Sequence, residues 1–453
     1  RCLLGSSEDD ADQEPPCKNC IALSEAMYNG GKVTGFRYQR DSQLAALLEG
    51  KNVAELSGLV YHELPLGDLV LPSIRWRMRR YHLEEDQTTR KLFREFILSA
   101  YHVGKEFGAF LDQKKPDAVI VFNGQMFPEA IARKIAERRG IKVLSHETGL
   151  QPYTVFLTTQ DATARRVYLT EEERQLSSSQ NKQLDAYLEQ RFQGRFSMAG
   201  IEFWKQMEGL PEEIQQKIGQ FEQVVPVFTN VIFDTSQAHA NLGFPHMFAW
   251  LDATLEIIKA HPETLFIVRA HPDELRPNSD KKSRETVRQW VEQHSATDLP
   301  NLHYIDALEY ISSYALIKAA KFILAYNSSV ALESVLFGKL PVCAGWAWYA
   351  DYPTGRFPQS PEEYREAVEE LLTAEKVDLP EEFIQTARSL LYYQNFRSSL
   401  PFGEYMEPHQ IRGYVRLKPF DPSRLSWHND LTIKSVVAGI QSNDIVVGLP
   451  EDE

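Results

Sequence analysis

The chain has 453 residues, of which 43% are hydrophobic and 25% charged, as is ordinary for a globular protein. Its 49 basic and 63 acidic residues give a net charge of −14, which argues against a general nucleic-acid binder, because such proteins carry a basic face. No apolar run approaches the roughly 18 residues that span a bilayer. The composition therefore excludes a transmembrane protein and a disordered chain.

Four cysteines bear on the compartment and on metal binding: Cys2, Cys17, Cys20 and Cys343. They are too few for a disulfide scaffold, which favours a reducing cytoplasm. Cys17 and Cys20 form a CxxC pair that, with Cys2, would offer three thiolates to zinc. A structural zinc site needs four ligands, and no second pair is present. We therefore favour no metal, with His62 or a residue upstream as the alternative fourth ligand.

The first half of the chain starts with an acidic arm over residues 1–16. Hydrophobic spacing then predicts one long helix over 84–113. A buried strand, a helix ending at Gly140 and a second strand follow as a β-α-β unit of parallel type. The three elements lie at 117–122, 127–139 and 141–144.

The second half alternates strands and helices after a Glu-, Gln- and Lys-rich helical stretch. Strands are predicted at 224–229, 264–269, 302–305, 322–325 and 341–344, and helices at 247–260, 283–294, 309–318, 330–337, 362–372 and 381–391. This rhythm is typical of a doubly wound parallel sheet. We predict an α/β protein with domains at 1–200 and 224–372, a helical junction at 201–223 and a helical and irregular tail at 373–453 that packs back on the domains.

In open α/β sheets, ligands bind beyond the carboxyl ends of the strands, so the residues there are the candidates. His271 follows the strand at 264–269, and Pro272 prevents either element from continuing. An imidazole at this point can donate to a phosphate oxygen and titrates near neutral pH, or it simply caps a turn. Asn230 follows the strand at 224–229 and is expected to contact phosphate or acceptor, or its own turn.

A second candidate is the polar segment before the helix at 330–337. Asn327, Ser328 and Ser329 are good N-cap residues, and the same geometry forms an anion site. Glu333 lies one turn further on, and Val330 excludes a capping box. We expect its carboxylate to accept from a ribose diol, with an exposed surface position as the alternative.

A third candidate is Glu147, directly after the strand at 141–144, as a general base. Gly149 would let a substrate approach closely, and a solvent-facing turn is the alternative.

A cluster of four arginines is interleaved with aromatic residues and suits a membrane surface, an anionic acceptor or a solvated helix face. Its arginines are Arg75, Arg77, Arg79 and Arg80.

These motifs together resemble the donor half of GT-B glycosyltransferases, in particular the capsule and surface polysaccharide transferases that include bacterial Kdo transferases and sialyltransferases. The resemblance rests on Arg269-Ala270-His271-Pro272, on Tyr326-Asn327-Ser328-Ser329 with Glu333, and on Gly338-Lys339-Leu340-Pro341. It covers about 224–372, is weaker over 117–170 and is absent before about residue 90. The first strand and glycine-containing loop of the amino-terminal domain are not visible, which leaves a truncation of that domain open.

The resemblance implies two Rossmann-like domains facing a cleft and an inverting transfer from a CMP- or UDP-linked sugar to a glycan or glycolipid acceptor, without metal or cofactor. Asn230, Arg269, His271, Pro272, Asn327, Ser328, Ser329 and Glu333 would bind the nucleotide sugar. Glu147 and His271 would be catalytic, although Thr148 replaces an acid of the family's acid-acid-Gly motif. The alternatives are a UDP-GlcNAc 2-epimerase-like enzyme and a non-catalytic nucleotide-sugar-binding subunit.

Overall fold

The structure is a computed structural model that describes residues 18, 21–22, 32–36, 38–193, 207–238, 240–276, 282–409 and 415–450. Contacts divide the chain into two compact units, one ending at Val143 and the other beginning at Leu144. This division differs from the domain boundaries predicted from the sequence, which stay a prediction. Cys2, Cys17 and Cys20 lie outside the described residues.

The first unit is mainly helical. Its elements are α1 (Ser42–Leu48), α2 (Val53–Ser57), α3 (Leu66–Met78), α4 (Gln87–Lys114), β1 (Ala118–Phe122) and α5 (Glu129–Glu137). Helix α4 begins where the Asp86 side chain accepts from the Thr89 amide at 2.6 Å. Its apolar face, with Phe93 and Ile97 fully buried, forms the core with α1 to α3. The long helix predicted over 84–113 is confirmed.

The second unit starts in β2 (Lys142–Thr148), which crosses the division and pairs antiparallel with β3 (Thr154–Thr158). Strand β3 also pairs with β9 (Leu400–Pro401). The sequence predicted that this strand ends at residue 144, and this prediction is wrong because the strand continues to Thr148. The ladder with β3 extends β2 to Thr148, because a strand continues as long as a partner satisfies its backbone groups.

A five-stranded parallel sheet is the centre of the second unit, with the order β6-β5-β4-β7-β8. Its strands are β4 (Gln223–Phe228), β5 (Thr264–Arg269), β6 (Leu302–Ile305), β7 (Ile323–Ala325) and β8 (Pro341–Cys343). All six residues of β5 are buried, as in a sheet covered on both faces. The predicted α/β class with a parallel sheet is confirmed.

Helices connect and flank these strands. They are α6 (Ser178–Phe192), α7 (Glu212–Ile218), α8 (Met247–Ala260), α9 (Val287–Gln293), α10 (Ser313–Ala319), α11 (Ser329–Val335), α12 (Pro361–Thr373) and α13 (Glu381–Tyr392). The tail holds a strand pair, β10 (Met406–Pro408) and β11 (Val415–Leu417), and the helix α14 (Leu431–Gln441). Within the described residues, no helix is both long and apolar enough to cross a membrane.

Candidate functional site

The carboxyl edge of the parallel sheet gathers the segments that the sequence singled out. Because all five strands run the same way, their carboxyl ends lie at one edge. Strand β4 lies between β5 and β7, so the segments carrying Asn230, His271 and Asn327 follow neighbouring strands. Adjacent strands are about 4.8 Å apart, which places β5 and β7 within about 10 Å of each other.

Two predicted binding residues contact each other directly. The Asn230 amide nitrogen donates to Asn327 Oδ1 at 2.7 Å, and Gln237 donates to the same oxygen at 3.2 Å. Asn327 in turn donates to the Ser236 carbonyl oxygen at 3.0 Å. These bonds tie the loop after β4 to the end of β7. Gln237 is buried in this network, and nothing in its local sequence indicated the role.

His271 is fixed by a turn immediately after β5. It caps the short 3-10 helix Pro272–Glu274, and its Nδ1 accepts from the Asp273 amide at 3.1 Å. Since Nδ1 accepts, the neutral imidazole carries its proton on Nε2 and can donate there. The turn-capping and the phosphate-donating interpretations of His271 are therefore compatible.

Glu274 lies in the same turn and is 1% exposed. Its Oε1 accepts from the Val287 amide at 2.9 Å, while its Oε2 has no hydrogen-bond partner among the described residues. Burial raises the pKa of this carboxyl to about 8, because the charged form is poorly solvated. The sequence analysis did not select Glu274, and only its burial makes it unusual.

Arg269 is the last residue of β5 and is buried, at 2% exposed. Its guanidinium donates to the carbonyl oxygens of Asp306 at 2.8 Å and Ala270 at 3.2 Å. Burial lowers the pKa of Arg269 to about 10. These contacts brace the loops after β5 and β6, so the structure gives this predicted nucleotide-binding residue a supporting position.

The two serines lie at the start of α11. Ser328 caps the helix, with its hydroxyl oxygen 3.4 Å from the Val330 amide nitrogen, and its carbonyl oxygen accepts from Tyr349 at 2.7 Å. Ser329 is exposed. Helix α11 has only seven residues, so its dipole is weak, and anion binding by the two serines stays a prediction.

Glu333 lies in a buried ion pair that the sequence did not indicate. The carboxyl is 2% exposed and accepts from Arg191 Nε at 2.9 Å and from the Tyr314 hydroxyl at 2.6 Å. Burial alone would lower the pKa of Arg191, but Glu333, Tyr314 and Tyr187 together outweigh burial and hold this pKa well above its ordinary value. The alternative of a surface position for Glu333 is wrong. A ribose contact stays a prediction, and it requires Arg191 or Tyr314 to give way.

Glu147 lies within β2, opposite Phe156 of β3, and not in a turn after the strand. Its Oε1 accepts from the Thr148 amide at 2.8 Å. Alternation along the strand places Glu147 on the same face as Ser145, whose hydroxyl oxygen accepts from the Ala162 amide at 3.1 Å. His146 lies on the opposite face. Burial lowers the pKa of His146, and this effect is larger than the opposing effect of the Glu147 charge, which raises it.

Gly149 has a packing role beside β3, and a substrate approach at this residue stays a prediction. A Cβ atom there would lie 2.2 Å from Thr154 Oγ1, so only glycine fits beside β3. The physical reason is that β2 and β3 are closely paired at this point, with the Gly149 amide donating to the Thr154 carbonyl oxygen at 2.9 Å.

A cavity of about 310 Å³ lies beside the end of β8. Its lining includes Thr158, Gln160, Asp161, Arg166, Leu242 and Trp346. Arg166 forms an ion pair with Asp351 and lies 5.6 Å from the centre of the Trp346 ring. The sequence analysis did not select Gln160 or Arg166, which are far from Trp346 along the chain.

The arginine cluster in the first unit has partners within that unit. Arg75 donates to the Tyr81 carbonyl oxygen at 3.0 Å and lies 3.7 Å from the centre of that ring. Arg79 is 8% exposed and lies 3.8 Å from the centre of the Trp76 ring. Contact with a membrane or an anionic acceptor stays a prediction.

No protein-family profile and no curated protein matches the sequence. Among solved structures, the chain is similar to KpsC, a β-Kdo 2,4 transferase of Thermosulfurimonas dismutans, with 12% identity over 63% of this chain and 80% of that one and a TM-score of 0.40. It is also similar to the UDP-GlcNAc 2-epimerase of Neisseria meningitidis bound to UDP-GlcNAc, with 16% identity over 66% and 79% and a TM-score of 0.32. A third similar structure is S. aureus MnaA with UDP, at 13% identity over 65% and 76% and a TM-score of 0.30. At these TM-scores the similarities carry no argument, so the proposed function rests on this chain's own side chains.

Proposed function

We propose that the chain is an inverting, metal-independent glycosyltransferase that uses a CMP- or UDP-linked sugar in the synthesis of a surface or capsular polysaccharide. The observation that carries the proposal is the arrangement at the carboxyl edge. There a protonated imidazole nitrogen of His271 and the hydroxyl groups of Ser328 and Ser329 follow strands that are separated only by β4. Hydrogen-bond donors that follow strands about 10 Å apart can approach one phosphate of an activated sugar from two sides.

Departure of the nucleotide leaves negative charge on a phosphate oxygen. The Nε2–H of His271 and the two serine hydroxyls would donate to that oxygen. Because His271 is already fixed by its bond from the Asp273 amide at 3.1 Å, little reorganisation is needed as the charge develops. Asn230 and Asn327 would hold the loops in register through their mutual 2.7 Å bond.

Glu147 would act as the general base that takes the proton from the attacking acceptor hydroxyl. It shares a face of β2 with Ser145, and Ser145 contacts Ala162 in the segment that lines the cavity. The acceptor oxygen would then attack the anomeric carbon from the face opposite the phosphate, which inverts the configuration.

Titration calorimetry with CMP, UDP and GDP tests the nucleotide site, on the parent protein and on His271→Ala. We expect one nucleotide to bind and the variant to bind it about tenfold more weakly, as for a lost hydrogen bond to a charged group. The matched control is His428→Ala, since His428 is exposed in the tail. Equal affinity of the parent and His271→Ala proteins would contradict the role of His271.

A further inference from the structure

We infer that Glu274 is a positioning residue for His271: its uncharged carboxyl group holds the turn after β5 against α9, and loss of the carboxyl proton releases the turn and weakens nucleotide binding. The inference deepens the proposed function and rests on it, because it names a regulation of the same site by pH. It follows from the hydrogen bonds of Glu274, from its burial and from the charges around it.

Glu274 connects the His271 turn to the segment that follows it. Its backbone amide donates to the His271 carbonyl oxygen at 2.9 Å, which closes the turn, and its carbonyl oxygen accepts from the Ser283 amide at 2.8 Å. Its carboxyl Oε1 accepts from the amide of Val287, the first residue of α9, at 2.9 Å. The Glu274 side chain therefore ties the turn that presents His271 to α9.

The surroundings of Glu274 favour its uncharged form. The residue is 1% exposed, and Oε2 has no hydrogen-bond partner among the described residues. A carboxylate here would hold a buried negative charge on an oxygen with neither water nor a donor, and an uncharged oxygen without a partner costs less. Protonation removes the charge, while Oε1 still accepts from Val287. Burial accordingly raises the pKa of Glu274 to about 8.

The charges near Glu274 also oppose its ionisation. The titratable and charged groups of the adjoining elements are Arg288 of α9, Tyr304 of β6, Asp306 after β6, Arg269, His271, Asp273 and Arg276 around the turn, and Lys282, Arg284 and Glu285 before α9. Asp306 raises the pKa of Glu274 more than Arg288 lowers it. One reason is that Arg288 Nε already donates to Asp306 Oδ2 at 3.0 Å. A Glu274 carboxylate would therefore meet net repulsion.

A phosphate bound at His271 would act in the same direction. The proposed phosphate position is at Nε2 of His271, and Glu274 belongs to the turn that His271 caps. A negative charge there disfavours a second negative charge on Glu274. By reciprocity, loss of the Glu274 proton weakens phosphate binding by the factor by which bound phosphate strengthens proton binding. Proton and nucleotide therefore bind cooperatively.

The expected pH range follows from the value of about 8. At pH 7 most of the Glu274 carboxyl is protonated, and at pH 9 about one tenth of it is. If only the protonated form binds, nucleotide affinity falls about tenfold between these two pH values. The phosphate groups of the nucleotide are fully ionised over this range, since their second pKa is about 6.

Calorimetry with UDP and with CMP at pH 7, 8 and 9 tests this expectation on the parent and on Glu274→Gln. The glutamine stays uncharged and keeps an oxygen for the Val287 amide. We expect similar affinities at pH 7 and an affinity about tenfold lower in the parent than in the variant at pH 9. Ionisation of the ligand and of the other side chains cancels in the ratio. Glu292→Gln, at an exposed position of α9, is the matched control and should follow the parent.

A second measurement follows His271 without any ligand. Ring-¹⁵N histidine gives well-separated Nδ1 and Nε2 signals while Nδ1 accepts and Nε2 carries the proton. The His271 signals are assigned from His271→Asn, and exposed His428 is the internal control. We expect the two His271 signals to converge between pH 7 and 9 in the parent, as the turn is released, and to stay separate in Glu274→Gln.

The two measurements separate this inference from the proposed function. Nucleotide binding with a parent-to-variant affinity ratio that is constant from pH 7 to 9 would overturn the inference and leave the proposed function standing. Absence of UDP and CMP binding to the parent at every pH would refute the proposed function. The His271 signals then decide the positioning role: convergence in the parent alone supports it, and equal behaviour of the parent and Glu274→Gln overturns it.

Discussion

The turn at His271 and the carboxyl group of Glu333 were both expected to contact the nucleotide, and they differ in how the protein satisfies them. His271 uses one ring nitrogen to cap its own turn, and the other carries the proton. Glu333 has both carboxylate oxygens bonded, one to Arg191 and the other to Tyr314. A buried charge needs a partner whether or not a ligand is bound. A binding motif therefore predicts what kind of interaction a side chain makes more safely than it predicts which group that side chain contacts.

The largest expected effect concerns the proposed catalytic role of Glu147. Glu147→Gln removes the proposed base and should lower turnover by about 10²–10⁴-fold, with nucleotide affinity unchanged. The assay separates the transferred product from an epimerised sugar, and Glu171→Gln is the control because that side chain is 88% exposed. Full activity of Glu147→Gln would exclude it as the base.

The second effect concerns the folding role of Glu333. Glu333→Ala leaves the Arg191 charge without its carboxylate and should lower the free energy of unfolding by about 3–5 kcal/mol. Urea denaturation measures the loss, with Glu171→Ala as the exposed control, expected within about 0.5 kcal/mol of the parent. A loss for Glu333→Ala as small as the control's would mean that the ion pair is not structural.

The third effect is a pH dependence in the turn of His271. The pKa of Glu274 is about 8 in the folded chain against an ordinary value of 4.5, so the folded state holds its proton more tightly than the unfolded state. Stability should therefore fall as pH rises from about 4.5 to 8 and level off above it, by the order of a few kcal/mol.

Glu274→Gln removes this dependence because it cannot ionise. Urea denaturation of parent and variant across pH 5–9 gives the difference, in which other titrating groups cancel. We expect the variant to gain relative stability as the pH rises. A constant difference over the whole range would show that the Glu274 carboxyl is not perturbed.

The smallest effect tests whether Glu333 also serves the nucleotide. Arg191→Met removes the cation that competes for the Glu333 carboxylate, at a cost in folding stability comparable to that of Glu333→Ala. In the folded protein, a ribose contact should then raise nucleotide affinity by about tenfold, or about 1.4 kcal/mol. Lys182→Met, at an exposed position of the same helix α6, is the control. Equal nucleotide affinity of the parent and Arg191→Met proteins would mean that Glu333 serves the fold alone. The Glu333 ion pair and the His271 turn would then have separate roles.

Hydrophobic periodicity was sufficient to predict most of the parallel sheet and its helices. Strand β5 (Thr264–Arg269), strand β6 (Leu302–Ile305) and helix α8 (Met247–Ala260) have the bounds that the sequence predicted. The two strands are short segments that begin and end on buried positions or next to turn residues, and the helix is amphipathic, so local preference and burial agree. The placement of His271 and Asn327 after strands follows from the same pattern, since parallel strands end at one edge.

Only the tertiary structure decided the partners of those residues. Arg191 and Glu333 are 142 positions apart, and no local pattern relates them. Strand β2 reaches Thr148 only because β3 pairs with it, and the cavity combines Gln160 and Arg166 with Trp346 from a distant strand end. The physical reason is that propensity and periodicity act over a few residues, while pairing of charges and closure of a cavity depend on which surfaces meet after folding.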